Sequence, residues 1–420
     1  MEAKGLNRRH FLGGTLAAAA FLARAQQPAA RPDAAGTELV PFPQRQYERK
    51  LRIGLLGGGH RGNIVADNML DHGGYEIASV CDYSPETVAE MGKKFNVAAN
   101  RQFSGLNGYK RMIDAGGIDV LAILDVPYFY PEQVKAAVEA GLHVYIAKPI
   151  AIDVPGALSV GEQATAATRK GLCVRVDYQL PDDPANVETI QRMKAGALGA
   201  LSYLVTVGNN LLFHDPAFKG DNIASRFWKG WMSDVSLGGD IPLFFDIHII
   251  DGVWVAMGGK TPVQAMGKSN IRRKQRHGDR MDAGAVIYEF DDGTFWTHRT
   301  QSIQNNSEYL ELEGLFFGTD AVARIGYYGK SYMRAGNKED YYVKEISKTI
   351  YRDGIIRNVI GFYDDIENKR FANETVPRAV QGTLTAILGR DAAERGKVLT
   401  MDELIRENRK LTNNLNGLTT

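Results

Sequence analysis

The sequence predicts an α/β domain built on a doubly wound parallel sheet, followed by an α+β domain with an open, mainly antiparallel sheet. Three observations carry that prediction. First, Leu51 to Leu56 is a short apolar run of strand formers that breaks into Gly57-x-Gly59-x-x-Gly62, and the residues after it have helical spacing. Second, strand-like and helix-like segments alternate as far as Tyr178, the pattern of crossover units on parallel strands. Third, beyond Asp182 short strands joined by tight turns take over, with Asp292-Gly293 as a hairpin turn.

Each element follows from its residues. In the glycine turn, Gly57 makes the bend, Gly59 lets the backbone approach a pyrophosphate, and Gly62 lets the helix pack closely on the strand. His60 and Arg61 lie inside this loop, at a helix N-terminus whose unpaired N–H groups suit phosphate. The second strand, Glu76 to Cys81, ends at Asp82, 20 residues after Gly62, the spacing of a ribose-binding acid in a Rossmann dinucleotide site. A carboxylate there accepts the ribose hydroxyls and repels a 2′-phosphate, so NAD is expected rather than NADP. Ile118 to Leu124 is a continuous apolar run suited to a central parallel strand, and Pro127 just beyond it joins the expected cofactor set. A helix from Pro131 to Ala140 leads to the strand Val144 to Ile146, and Val154 to Lys170 and Cys173 to Tyr178 close the domain.

Composition excludes several classes. Hydrophobic residues at 44% and charged residues at 24% are ordinary for a globular chain of 420 residues, and a net charge of +1 without a basic stripe gives no reason to expect nucleic acid. No metal-ligand spacing, repeat or phosphate loop of another type is present. Cys81 and Cys173 read as small buried hydrophobes. Asn7-Arg8-Arg9-His10-Phe11-Leu12, an apolar stretch from Thr15 to Leu22 and Ala23-Arg24-Ala25 form a twin-arginine signal over residues 1–25, so a periplasmic or otherwise exported protein with no membrane segment in its mature form is expected. A protein exported after folding must carry its cofactor with it. Residues 26–50, rich in Pro and Ala, read as an arm, either a tether or a segment lying across a neighbouring subunit.

The strand from Val144 ends in Ala147-Lys148-Pro149. Together with the glycine turn and Asp82, the run Ala140 to Pro149 resembles the Gfo/Idh/MocA oxidoreductases, whose members carry Glu-Lys-Pro here; Ala147 replaces the glutamate. The resemblance implies domains over 51–180 and 181–420, the second for substrate binding and oligomer contacts, and a homo-oligomer. It implies that Lys148 faces nicotinamide and substrate as a catalytic residue, its ammonium stabilising alkoxide character. It also places Tyr178 among the substrate-facing groups. In Gly238-Gly239-Asp240 to Asp251 the family carries an acid, then His four residues later, then Asp three after that; Phe244, His248 and Asp251 occupy these positions. At about 100° per residue the three share one helix face, with Asp246 about 200° from His248. His248 is then the proton-transferring residue and a substrate contact, oriented by Asp251 or Lys148.

The long connection from Gly208 to Gly239 holds Arg226-Phe227-Trp228-Lys229-Gly230-Trp231, where Arg226, Trp228 and Trp231 are candidates to stack on and bond a sugar ring, or else to anchor the loop. Helices are expected over 357–371, 378–395 and 401–411. The expected activity is hydride transfer between a carbohydrate secondary hydroxyl and tightly bound NAD, as in the family's sugar–sugar oxidoreductases. A glycosidase acting by transient sugar oxidation and elimination is the alternative, and a cofactor-retaining sugar-binding protein without catalysis is a third reading.

Overall fold

The computed structural model describes residues 39–211, 223–273, 278–304 and 310–420. The twin-arginine stretch and the first part of the arm lie outside the described residues. Leu39–Thr420 forms one compact unit.

Six parallel strands make the first sheet: β1 (Leu51–Leu56), β2 (Tyr75–Asp82), β3 (Gln102–Ser104), β4 (Val120–Ile123), β5 (His143–Ala147) and β6 (Val174–Asp177), in the order β3-β2-β1-β4-β5-β6. Strand order reverses between β1 and β4, which opens a crevice at the carboxyl ends where ligands bind in such sheets. Every residue of β4 is buried, as its unbroken apolar run requires. The crossovers carry α1 (His60–His72), α2 (Pro85–Lys94), α3 (Gly108–Asp114), α4 (Tyr130–Glu139) and α5 (Val154–Arg169). Ser84 caps α2 by accepting from the Thr87 amide, and Asp153 caps α5 by accepting from Gly156. Strand β3 was not expected, because three residues are too few to show a period.

The second sheet holds nine strands: β7 (Leu201–Leu211), β8 (Gln264–Asn270), β9 (Ala283–Glu289), β10 (Phe295–Gln304), β11 (Glu311–Gly318), β12 (Ala321–Gly326), β13 (Lys330–Ala335), β14 (Tyr342–Glu345) and β15 (Leu399–Thr400). All neighbours are antiparallel except β7 and β10. The α/β plus α+β expectation therefore holds. Helix α6 (Pro184–Lys194) precedes this sheet. Between β7 and β8 come α7 (Ile223–Trp228), α8 (Val235–Gly238), a π-helical turn over Pro242–Asp246, and α9 (Ile247–Ala256). After β14 follow α10 (Ile350–Glu367), α11 (Thr375–Arg395) and α12 (Met401–Glu407). Helix α10 begins seven residues before its expected start and α12 ends four before its expected end.

Helix α11 is buried along most of its length and joins the two sheets. The Thr375 hydroxyl accepts from the Val176 amide on β6, Arg390 donates to the Ile152 carbonyl, and Tyr288 on β9 donates to the Thr385 carbonyl. A helix in contact on all sides lacks a polar face, so its weak amphipathicity follows from its position. The described part of the arm contacts its own chain: the Val40 amide donates to Asp353, Arg45 pairs with Asp364 and Glu367 of α10, and Tyr47 bonds His72 of α1. Cys81 and Cys173 are buried free thiols.

Candidate active site

The glycine turn after β1 is built as its spacing predicts. Gly57 has φ +101, and a Cβ there would sit 2.4 Å from the Leu124 carbonyl oxygen. A Cβ on Gly62 would sit 1.9 Å from the Gly57 oxygen, so α1 can approach β1 only with glycine at 62. Gly59, the N-cap of α1, has nothing within 4 Å of its Cβ position. The Asp82 carboxylate at the end of β2 accepts from the Gly58 amide at 2.8 Å and the Ser84 amide at 3.0 Å, which turns it toward the loop. Burial raises its pKa and these amides oppose the rise. An open cradle at a helix N-terminus with a carboxylate beside it fits the pyrophosphate and ribose of a dinucleotide. His60 is exposed at the rim of this cradle, and Pro127 is buried at the start of a short turn after β4.

Lys148, at the end of β5, is half-buried and donates from Nζ to the Phe244 carbonyl. Burial, then the nearby Arg61 guanidinium, lowers its pKa to about 7, against the opposing carboxylates of Asp177 and Asp246. His248 on α9 is buried with its Nδ1 lacking a hydrogen-bond partner. Burial, Lys148 and Arg61 all hold its pKa well below the ordinary histidine value, so the ring is neutral. An orphaned ring nitrogen beside a poised lysine at a sheet mouth is a site for a hydroxyl-bearing ligand.

Several expected roles fall differently. Arg61 reaches away from the phosphate cradle to pair with Asp177 on β6 and lies 4.7 Å over the Tyr351 ring. Tyr178 is fully buried behind His248, edge-on at 6.4 Å, with the Arg378 guanidinium 5.2 Å from its ring. Asp251 pairs with Arg378 at 3.1 Å and so does not orient His248; instead His248 rests against Tyr178 and Tyr327, the latter at 5.3 Å. The π turn before α9 breaks the 100° spacing assumed for this helix. In consequence the Phe244 side chain joins Ile241, Met281 and Trp231, and only its carbonyl meets Lys148.

The loop aromatics separate. Trp231 packs with Phe244. Arg226 is committed to Asp234 and Asn413. Trp228 lies at the carboxyl edge of the parallel sheet, stacked on Tyr83 with centroids 3.9 Å apart and donating its indole N–H to Asp125 at 3.0 Å. Trp228 and Arg226 are therefore not gathered around Lys148 and His248.

Sequence reasoning missed His298. Its Nε2 meets Asp246 at 3.1 Å and its Nδ1 meets Thr206 at 2.7 Å, while Trp296 donates to Thr206 at 2.6 Å. This buried chain across β7 and β10 positions Asp246, whose charge acts on Lys148. The only signal for it is a run of polar residues at inward positions of β10, which strand alternation alone does not mark as functional.

Residues 51–178 match the pattern of the GFO_IDH_MocA family, described as an oxidoreductase family with an NAD-binding Rossmann fold. A myo-inositol dehydrogenase, Hyg17, of Streptomyces leeuwenhoekii is 34% identical over 161 residues, 38% of this chain and 46% of that protein. Glycosyl hydrolase family 109 protein 4 of Phocaeicola vulgatus is 29% identical over 143 residues, 30% of this chain and 26% of that protein. The chain thus spans about a quarter to a half of the length of the curated relatives it matches. Among solved structures, a levoglucosan dehydrogenase in complex with NADH and levoglucosan shares the fold with a TM-score of 0.68 at 16% identity, over 84% of this chain and 100% of that one. The match thus falls on the first sheet and its helices, residues 51–178, which have the Rossmann fold that the family's description names.

Proposed function

We propose that the protein is an NAD-dependent oxidoreductase that moves hydride between NAD and a secondary hydroxyl of a sugar, polyol or glycoside. The observation that carries this reading is Lys148, tuned to about pH 7 beside a neutral His248 at the mouth of the parallel sheet. Myo-inositol, levoglucosan and glycosides are the chemistries of the similar proteins, and each offers a ring hydroxyl of the kind the site would hold. The preference for NAD over NADP is supported by Asp82, whose carboxylate accepts from the Gly58 amide of the glycine turn and would repel a 2′-phosphate brought beside it. Bound nicotinamide supplies the hydride acceptor.

The chain's own groups handle the proton. Arg61 and Lys148 both disfavour a charged imidazole, so His248 is a hydrogen-bonding partner and the hydroxyl proton comes to rest on Lys148. The pair must begin without that proton. Accordingly kcat/KM for alcohol oxidation should rise about tenfold per pH unit below pH ~7 and level off above it, while reduction of the matching ketone should be level below pH ~7 and fall above it. Steady-state rates on myo-inositol, levoglucosan and free sugars, with product identification, test both the activity and the slope; a profile flat across neutrality in both directions refutes the assignment to Lys148.

A second reading is favoured by the relatives named as glycosyl hydrolases: oxidation of a glycoside, loss of the aglycone by elimination, addition of water across the double bond so formed, and return of the hydride. Aglycone release without net change in NAD redox state would identify it.

We also propose a homo-oligomer formed through the uncovered face of the second sheet. Tyr203, Phe295 and Phe317 stack there with centroids 5.3 and 4.6 Å apart, and Ile287 and Met266 continue the apolar face. Phe295→Glu should shift the protein to monomers in light scattering, and an unchanged mass would remove this interface.

A further inference from the structure

Trp228 lies in a slot of notable shape. Its indole is stacked on Tyr83 at 3.9 Å and 15°, and runs nearly parallel to Phe129 at 5.8 Å and 16°. Tyr83 follows the ribose-binding candidate Asp82 at the end of β2, and Phe129 ends the short turn that follows β4. Two aromatic rings therefore run nearly parallel to a planar bicyclic group at the sheet's carboxyl edge, one of them next in sequence to Asp82.

Asp125 gives the slot a polar floor. One of its oxygens accepts the indole N–H at 3.0 Å, and the other accepts from Gln133 at 3.0 Å. A planar heterocycle with an outward N–H donor suits these groups, and adenine, with its exocyclic amine, has the same features. Guanine and hypoxanthine present an oxygen at that position and would face the carboxylate unfavourably.

The segment after α12 holds Trp228 in place. Asn413 accepts from Arg226 at 2.9 Å and donates to the Ser236 carbonyl at 2.9 Å. Leu418 is buried in the cluster of Val126, Phe129, Phe227 and Leu237, against which Trp228 also packs. The Thr419 amide donates to the Tyr83 hydroxyl at 3.0 Å, and the Thr419 carbonyl accepts from Leu106 at 2.8 Å. The strap therefore crosses both Tyr83 and helix α7.

We infer that Trp228 occupies the adenine slot of the dinucleotide site, so that the chain holds its own substitute for the base and nucleotide loading must expel it. The inference rests on the NAD reading above and adds a competitor that this reading does not require. A competitor inside the site lowers apparent affinity by the fraction of molecules in which the slot is empty. Its removal strengthens binding of any ligand that uses the slot and leaves others alone.

The test compares the nucleotide-free full chain with Trp228→Ala and Trp228→Phe by calorimetric titration with AMP, IMP, nicotinamide mononucleotide and NAD. Trp228→Ala should bind AMP and NAD about tenfold more tightly, with nicotinamide mononucleotide unchanged and AMP preferred to IMP. Trp228→Phe, which keeps a ring but loses the N–H, should gain less and serves if the alanine variant does not fold. In the unaltered chain, AMP should also shift tryptophan emission to the red, a response absent from Trp228→Phe. Equal or weaker AMP binding by Trp228→Ala overturns the inference while leaving the NAD reading standing. Failure of every form to bind NAD or nicotinamide mononucleotide overturns both.

Discussion

Replacing Lys148 with methionine should lower kcat/KM by about a thousandfold while leaving NAD binding in place, because general acid–base transfer at a positioned group typically contributes 10²–10⁴-fold. Methionine keeps the unbranched apolar stem, one atom shorter, and removes the amine that meets the Phe244 carbonyl and bears on His248. The loss should appear in kcat as well as in kcat/KM, since the interaction grows as the hydroxyl proton departs. The same substitution should not unfold the protein. Burial and Arg61 lower the Lys148 pKa from 10.5 to about 7, so in the folded state the ammonium is disfavoured relative to the unfolded chain. That penalty is full below about pH 7 and fades as pH rises toward the unfolded value. Lys148→Met should therefore raise the melting temperature near pH 6 and change it little near pH 10. An enzyme that keeps roughly a tenth of its activity without this amine would show that the proton goes elsewhere.

Gly62→Ala should destabilise the fold by about 3 kcal/mol or more, at the upper end of overpacking costs, because the new methyl would lie 1.9 Å from the Gly57 carbonyl oxygen. The oxygen cannot yield easily: Gly57 is itself held at φ +101 with its own Cβ position 2.4 Å from the Leu124 carbonyl. Backbone presses on backbone at both points. Gly59→Ala makes the contrasting case. Its φ of −67 is ordinary for alanine and its Cβ position is open, so stability should change by less than about 0.5 kcal/mol. Its methyl projects into the cradle, so NAD binding should weaken. Thermal melts and NAD titrations on the two variants separate the packing glycine from the ligand-facing one. Equal melting losses for both would contradict the roles assigned here.

Much of the first domain was legible because its signals are local. The run Leu51 to Leu56, the three glycines and the spacing to Asp82 are each read within a few residues, and the structure assembles them without displacement. The hairpin at Asp292-Gly293 was legible for the same reason, with Gly293 at φ +81. The second half of the site was not. An even 100° per residue put Phe244, His248 and Asp251 on one face, but the π turn over Pro242–Asp246 sets Phe244 apart among Ile241 and Met281. Within α9, Asp251 pairs with Arg378 while His248 rests against Tyr178 and Tyr327. Asp246 looked misplaced because its partner, His298, is 52 residues away on β10. The aromatic loop was read by composition, which cannot tell a sugar platform from a ring stacked on Tyr83 and bonded to Asp125.

By itself the sequence determined the fold class, the glycine cradle, the carboxylate beside it and the lysine at the end of β5, because sterics and strand periodicity act between near neighbours. Only the tertiary structure decided what that lysine faces, that Asp251 serves Arg378 rather than His248, and that Trp228 meets Asp125 just beyond β4. These are contacts between residues distant in sequence, fixed when α11 draws the two sheets together. Burial at such contacts, which no single segment encodes, is also what brings Lys148 close to neutrality.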